Sequence, residues 1–240
     1  ERILAAFSPL PPETVSVAEA GGRVLAKDLT ARVTQPPAAV SAMDGYAVRA
    51  ADVAKTPVTL TQIGESAAGD GLAGSVGQGQ CARIFTGAPV PDGADAIVIQ
   101  EDTVADGAAI TSGESVVAGR YVRPAGLDFL KGDVLLRAGR ILTARDVGLA
   151  AAMNIPWIEV RRRPRIALLA TGDEIVRPGD PIAANQVLSS NGIALAALVR
   201  AHGGAPIDLG IAVDSKESLM SMAGGARGAD RSGQHTAELQ

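Results

Sequence analysis

Arg165-Ile-Ala-Leu-Leu-Ala-Thr-Gly-Asp-Glu174 decides the fold of the second half of this chain. Its apolar run through Ala170 is unbroken, the pattern of a strand buried on both faces of a parallel sheet, whereas a half-exposed strand would alternate. Downstream, Ser190-Asn191 predicts the cap of a helix that carries Ile193, Leu195, Leu198 and Val199 and stops at Gly203-Gly204. Ile207 to Val213 reads as the next strand, and Asp214-Ser-Lys-Glu217 has the outline of a capping box opening a helix with Leu219, Met220 and Met222. This β-α-β-α order begins a doubly wound sheet. From Arg231 to Gln240 no apolar run follows, so those residues read as a disordered or aberrant tail and only two parallel strands are expected.

Upstream of Arg165 the pattern differs. Val134-Leu-Leu136 and Trp157 to Val160 read as strands on either side of a helix from Ala144 to Met153, with Thr143 as its cap and Asp146 in its first turn. Between Val58 and about Val122, four short β-like runs stand out: Val58 to Ile63, Cys81 to Phe85, Ala96 to Ile99 and Ala109 to Thr111. Glycine turns separate them, as in a small barrel or sandwich. Ile3 to Phe7 reads as the end of a helix, and Thr14 to Leu25 as a turn into a second apolar element that Pro36-Pro37 stops. The expected fold class is α/β multidomain. A mixed α+β domain (1–38 plus 123–163) is interrupted by a small all-β domain (39–122) and followed by an incomplete doubly wound α/β domain (164–230), with 231–240 as the tail.

The 240 residues, 47% of them hydrophobic, suffice for one large core or two to three small ones, and 28 glycines favour several small units. A net charge of -4 argues against non-specific nucleic-acid binding, which needs a surplus of Lys and Arg. The basic cluster Arg161-Arg-Arg163 with Arg165 reads as a strand exit or interdomain joint. Cys81 alone permits neither an internal disulfide nor a cysteine zinc cluster. With no run of 18 apolar residues and no basic-then-apolar start, the expectation is a soluble cytoplasmic protein without membrane or nucleic-acid partners. The chain opens on Glu1 in what reads as mid-helix, as a fragment would.

Three segments carry candidate chemistry. Asp44 precedes Gly45 in Ser41-Ala-Met-Asp-Gly-Tyr-Ala-Val-Arg49, where an ordinary tight turn competes with a functional carboxylate. Thr86-Gly-Ala-Pro-Val-Pro91 offers a hydroxyl and, on this reading, free amides that would cradle an oxyanion. Thr171-Gly-Asp-Glu174 lies where open α/β sheets place their ligands. It reads either as a carboxylate pair for a divalent cation or as a helix-capping Asp173 with a solvated Glu174. His202 at a helix end and His235 in the tail do not read as catalytic imidazoles.

These segments resemble, in order, a known family. SAMDGYAVR, FTGAPVPDGADAIVIQED, RPAGLDFLKGDVLL, RPRIALLATGDEIVRPGDP and SSNGIALAALVRAHGG are similar to the bacterial molybdopterin molybdenumtransferases, the MoeA and gephyrin E-domain family, from about Glu1 to Asp230. The resemblance implies a cytoplasmic enzyme of molybdenum cofactor synthesis that inserts molybdate into adenylylated molybdopterin, needs Mg²⁺ and releases AMP. It implies a homodimer whose cleft joins the molybdopterin-binding α/β domain of one subunit (here 164–230) to other domains of its partner. A molybdopterin adenylyltransferase would act upstream, and molybdoenzymes or their chaperones downstream.

Carried over by position, the resemblance implies Asp44, Thr86, Asp128, Glu174 and Asp214 as catalytic residues. It implies Thr171, Gly172, Asp173 and Asn191 in ligand binding, and Glu174 and Asp44 as Mg²⁺ ligands. Two positions depart from the pattern. Gly126-Leu-Asp128 stands where the family has Gly-Glu-Asp, and Ser189-Ser-Asn191 where it has Asp-x-Asn. The family's Ser-Gly-Gly loop, Lys-Pro-Gly-Lys segment, Gly-Leu-Pro-Gly-Asn-Pro segment and C-terminal β domain are not among these residues, so weak or no activity of the chain as written is expected. Two other roles stay open, a non-catalytic molybdopterin-binding module and a dimerisation scaffold built from residues 1–163.

Overall fold

The computed structural model describes residues 8–236; the expected helix end at Ile3 to Phe7 lies outside them. In chain order the longer strands of the first half are β1 (Pro12–Ser16), β2 (Gly45–Val48), β3 (Val58–Ser66), β4 (Gln80–Ile84), β5 (Ala96–Ile99), β6 (Thr103–Asp106) and β7 (Ala109–Ser112). Helix α1 (Ala144–Ala152), β8 (Trp157–Arg161), β9 (Arg165–Thr171), α2 (Asn191–Ala201), β10 (Ala205–Ala212), α3 (Lys216–Ala223) and β11 (Arg231–Thr236) follow. The chain divides into two compact units. One takes Glu1–Asp28, Arg137–Gly148 and Pro156–Gln240, and the other Leu29–Leu136 and Leu149–Ile155.

The second of these units is built on one six-stranded sheet in the order β5-β2-β4-β3-β7-β6, and all four β-like runs of the sequence are strands in it. Strand β2 is paired on both sides, with β5 and β4. All four of its residues are buried, Tyr46 and Val48 packing with Leu60, Val98 and Ile110 and Ala47 packing with Ile84 and Ile97 in a separate cluster. Because both faces are covered, β2 lacks the polar alternation by which a strand is recognised. Gly45 is no turn glycine. A Cβ there would lie 2.0 Å from the Val98 carbonyl oxygen, so the close approach of β2 to β5 requires glycine. The lone Cys81 is fully buried, and burial pushes its thiol up to about 12, so it is inert at neutral pH.

In the other unit β1 and β8 pair antiparallel, Ser16 opposite Trp157, and Leu25, Leu142, Ile158 and Val160 are buried. The predicted cap of α1 is present. The Asp146 amide donates to Thr143 Oγ1 at 3.3 Å, while the Thr143 amide and hydroxyl donate to Asp146 Oδ2 at 2.8 and 2.7 Å. Strand β9 is the centre of a parallel sheet in the order β10-β9-β11, and Ala167 to Thr171 are buried as the apolar run predicted.

Three expectations need correction here. Arg231–Thr236 is a strand, Ile166 opposite Arg231 through Thr171 opposite Thr236, where a tail was expected from residue 231; residues 237–240 lie outside the described residues. The hydrogen-bonding edge of β9 recruits backbone groups whatever side chains they carry, so an apolar pattern cannot announce such a strand. The capping box before α3 is one residue later than read: Ser215 is the cap and accepts from the Ser218 amide, leaving Asp214 outside. Ser190 stands at the cap position of α2, but with helical backbone angles and without a side-chain capping bond.

The basic cluster sits at a strand exit. Arg162 grips Asp230 through two bonds of 2.6 and 2.8 Å, and the Arg165 amide adds a third at 2.8 Å, tying the start of β9 to the residue before β11. These bonds hold the Asp230 carboxyl well below the usual carboxylate range, Arg162 contributing most.

Candidate functional site

Asp44 lies in the bend that leads into β2, and Thr86 in the turn that leaves β4. That turn runs from Phe85 to Ala88, closed by a 2.9 Å bond, with Gly87 at φ 82°, a conformation glycine adopts without steric cost. It brings Thr86 onto a carboxylate 42 residues earlier. The Thr86 amide donates to Asp44 Oδ1 at 2.7 Å and its hydroxyl to the same oxygen at 2.8 Å. The amide, then the hydroxyl, then the Arg83 charge hold the Asp44 carboxyl below its ordinary value, so Asp44 is ionised at neutral pH.

The loop Thr86–Pro91 does not offer free amides, and the cradle expected of it is corrected. Thr86 gives its N–H to Asp44, Gly87 to Ser41, Ala88 to Phe85 and Val90 to Ala39, while Pro89 and Pro91 have none. A hydroxyl has a single proton, and Thr86 gives it to Asp44, leaving only lone pairs for a ligand. Asp44 Oδ2 takes neither Thr86 bond and is the oxygen left to meet a cation or a donor.

Asp128 is held by Arg123, whose Nη2 donates to both carboxylate oxygens at 3.0 and 3.2 Å. Arg123 also lines a cavity of about 410 Å³ with Pro36, Pro37, Gly71, Gly87 and Pro89. Asp128 therefore adjoins, through Arg123, a cavity whose wall includes the loop that carries Thr86. Arg123, Arg83 and Gln100 were not singled out from the sequence. Position along the chain gives no signal for them, since sheet register and turn geometry bring them in.

In the parallel-sheet unit, Thr171 ends β9 as a buried residue opposite Ala212 of β10. Gly172 follows with φ 145°, and a Cβ on it would come within 2.6 to 2.8 Å of the Glu174 carboxylate, so Glu174 folds back over bare backbone. Asp173 does not cap a helix. Its Oδ1 accepts the Asp214 amide at 2.9 Å, joining the loops that leave β9 and β10, and the chain then enters a short parallel pair, Ile175–Val176 with Val187–Leu188. Asn191 is the exposed first residue of α2. A cavity of about 340 Å³ in this unit is lined by residues including Arg177, Ser189, Ile193 and Ile211, but not by Asp173, Glu174 or Asp214. The carboxylates rather than that cavity mark the candidate site here, because they stand at the strand ends where open α/β sheets bind ligands.

Among the described residues no three or more His, Cys, Asp or Glu side chains are grouped to hold a metal. Magnesium does not need such a group, since it binds through one or two carboxylates with waters and substrate phosphates. Asp44, with one oxygen outside the Thr86 bonds, and Glu174, against bare glycine backbone, fit that chemistry.

A mixed-sheet unit presenting an ionised Asp–Thr pair, and a parallel-sheet unit presenting acidic residues at its strand ends, define a multidomain α/β protein. Residues 1–154 match the family described as MoeA N-terminal region (domain I and II), and the chain belongs to that family. A molybdopterin molybdenumtransferase of a Nostoc species is 39% identical over 211 residues, 86% of this chain and 48% of that protein. Molybdopterin molybdenumtransferase 2 of Mycobacterium tuberculosis is 37% identical over 207 residues, 85% of this chain and 51% of that protein. The chain thus spans about half the length of the curated relatives it matches. The crystal structure of a molybdopterin biosynthesis MoeA protein from Pyrococcus horikoshii superposes with a TM-score of 0.83 at 32% identity, covering 98% of this chain and 62% of that one. Among the described residues no helix is long and apolar enough to cross a membrane.

Proposed function

We propose that this chain forms part of a molybdopterin molybdenumtransferase, which inserts molybdate into adenylylated molybdopterin and releases AMP. The reading is supported most by the convergence of Asp44 and Thr86, two segments of the family resemblance brought to one carboxylate oxygen. Asp44, Thr86 and Asp128 act from the mixed-sheet unit. Glu174 and Asp214 act from the parallel-sheet unit, where Thr171, Gly172, Asp173 and Asn191 bind the ligand. Asp44 and Glu174 are the residues that would hold magnesium, which when bound would neutralise charge on the ligand's phosphates. Thr86 fixes which oxygen of Asp44 faces the ligand, and its hydroxyl, donating to Asp44, can only accept from the ligand. The protein works as a homodimer in the cytoplasm, fed by a molybdopterin adenylyltransferase and supplying molybdoenzymes or their chaperones.

The test is molybdate-dependent release of AMP from adenylylated molybdopterin by the protein that carries this sequence, compared with its Asp44→Ala variant. The expected loss is roughly 100-fold or more, the scale of a removed transition-state electrostatic contact. No AMP release by the unmodified protein, with ligand binding that Asp44→Ala weakens, would replace the enzyme with a binding module, and unchanged turnover in Asp44→Ala would remove Asp44 from the catalytic set.

A further inference from the structure

Arg83 of β4, two strands in from the β5 edge of the sheet, is placed by register opposite Tyr46 of β2. Its guanidinium lies 5.2 Å from the centre of the Tyr46 ring and 5.0 Å from that of Phe85, contacts that fix the plane of the group. From that plane Nη1 donates to the Gly45 carbonyl at 3.2 Å, and Nη2 donates to Gln100 Oε1 at 2.6 Å. Gln100 returns to the same segment, its backbone amide donating to the Asp44 carbonyl at 3.2 Å. The carbonyls of Asp44 and Gly45 are thus held in succession, one by Gln100 and one by Arg83, with the two side chains bonded to each other.

We propose that Arg83 and Gln100 form a clamp that positions Asp44, fixing the backbone from which its carboxylate reaches Thr86. Arginine is required because one planar fork must reach two acceptors while its face packs on aromatic rings; lysine supplies the charge without the fork. An arginine that only covered Tyr46 would need no Gln100, and Gln100 would need no bond to Arg83. Glu101 stands one step further out, accepting from Gln100 Nε2 at 3.3 Å. In its consequence for turnover the clamp rests on the reading of Asp44 as a site residue; its structural consequence does not.

The experiment therefore has two readouts on the protein that carries this sequence. The first is hydrogen exchange of the Thr86 amide, which donates to Asp44 Oδ1, and the second is the kinetics of molybdate-dependent AMP release. In Arg83→Gln exchange at Thr86 should speed up roughly 10-fold, and kcat should fall roughly 10- to 100-fold with little change in KM, as for a misplaced catalytic group. Arg83→Lys, which keeps the charge without the fork, should restore neither. Gln100→Leu, which removes an exposed side-chain bond and leaves the sheet intact, should lower kcat in the same direction and keeps the test usable if Arg83→Gln does not fold. A folded Arg83→Gln or Gln100→Leu protein with unchanged Thr86 exchange and unchanged kcat overturns the clamp. Faster exchange with unchanged kcat supports the clamp and instead removes Asp44 from the catalytic set.

Discussion

Gly45 and Thr86 show how single atoms set this site. The Gly45→Ala change would drive a methyl to 2.0 Å from the Val98 carbonyl oxygen, a backbone atom that cannot rotate away. We expect it to cost about 3 kcal/mol or more, the upper range of overpacking, read as a fall in the urea midpoint without a change in slope. Thr86 separates its two bonds cleanly: Thr86→Val keeps the amide to Asp44 and deletes the hydroxyl, whereas Thr86→Ser keeps both. Both bonds hold the Asp44 carboxyl down, so Thr86→Val should raise its pKa and move the acid limb of the pH–rate profile to higher pH. Turnover should drop about 10-fold, the weight of one hydrogen bond to a charged group, and Thr86→Ser should stay near wild type. A Thr86→Val profile superimposable on wild type would mean that the hydroxyl does not act through Asp44.

Helix α1 is the element where local sequence and structure agree most closely, and its cap is separable. Thr143→Ala removes both the acceptor for the Asp146 amide and a donor to the Asp146 carboxylate, and should cost about 1 kcal/mol of stability by denaturant titration. The Thr143 amide, the Arg140 guanidinium and the Thr143 hydroxyl, in that order, lower the Asp146 carboxyl from 3.8 to about 2. A depressed carboxyl stabilises the fold above its unfolded value and loses that contribution as it protonates. Acidifying from about pH 4 to pH 2 should therefore weaken wild type, and Asp146→Asn should flatten that part of the curve. Elements of this kind were legible because their signals are local: Thr143 and Asp146 for α1, Val134–Leu136, the apolar run of β9, the four runs of the mixed sheet. Strand β2 was not, because burial on both faces removes alternation and Asp44-Gly45 imitates a turn. Strand β11 was not, because its partner is a neighbouring edge rather than its own side chains.

At the scale of the molecule, the carried-over site residues fall into two sets, Asp44, Thr86 and Asp128 in one compact unit and Glu174 and Asp214 in the other. Within each set the structure supplies contacts that periodicity and spacing could not: Thr86 on Asp44 across 42 residues, Asp214 on Asp173 across 41, Arg123 on Asp128. Only an ordered resemblance reached Asp128 and Asp214 as site residues, since Asp128 stands in no motif of its own and Asp214 read only as a helix cap. Arg83 and Gln100 escaped both routes, the first fixed by strand register and the second by the turn that follows β5. The proposed homodimer, with a cleft shared between subunits, makes this division testable by complementation. Asp44→Ala and Glu174→Ala subunits, each expected to be inactive alone, are mixed in equal amounts and allowed to exchange. Half of the dimers are then mixed, and one of the two symmetry-related sites in each draws an intact Asp44 from one subunit and an intact Glu174 from the other. Activity should recover to about a quarter of wild type. If both residues serve a site from the same subunit, every site in the mixture lacks one of them and nothing is recovered. Light scattering on the same samples separates that outcome from a failure to dimerise, which would remove the homodimer itself.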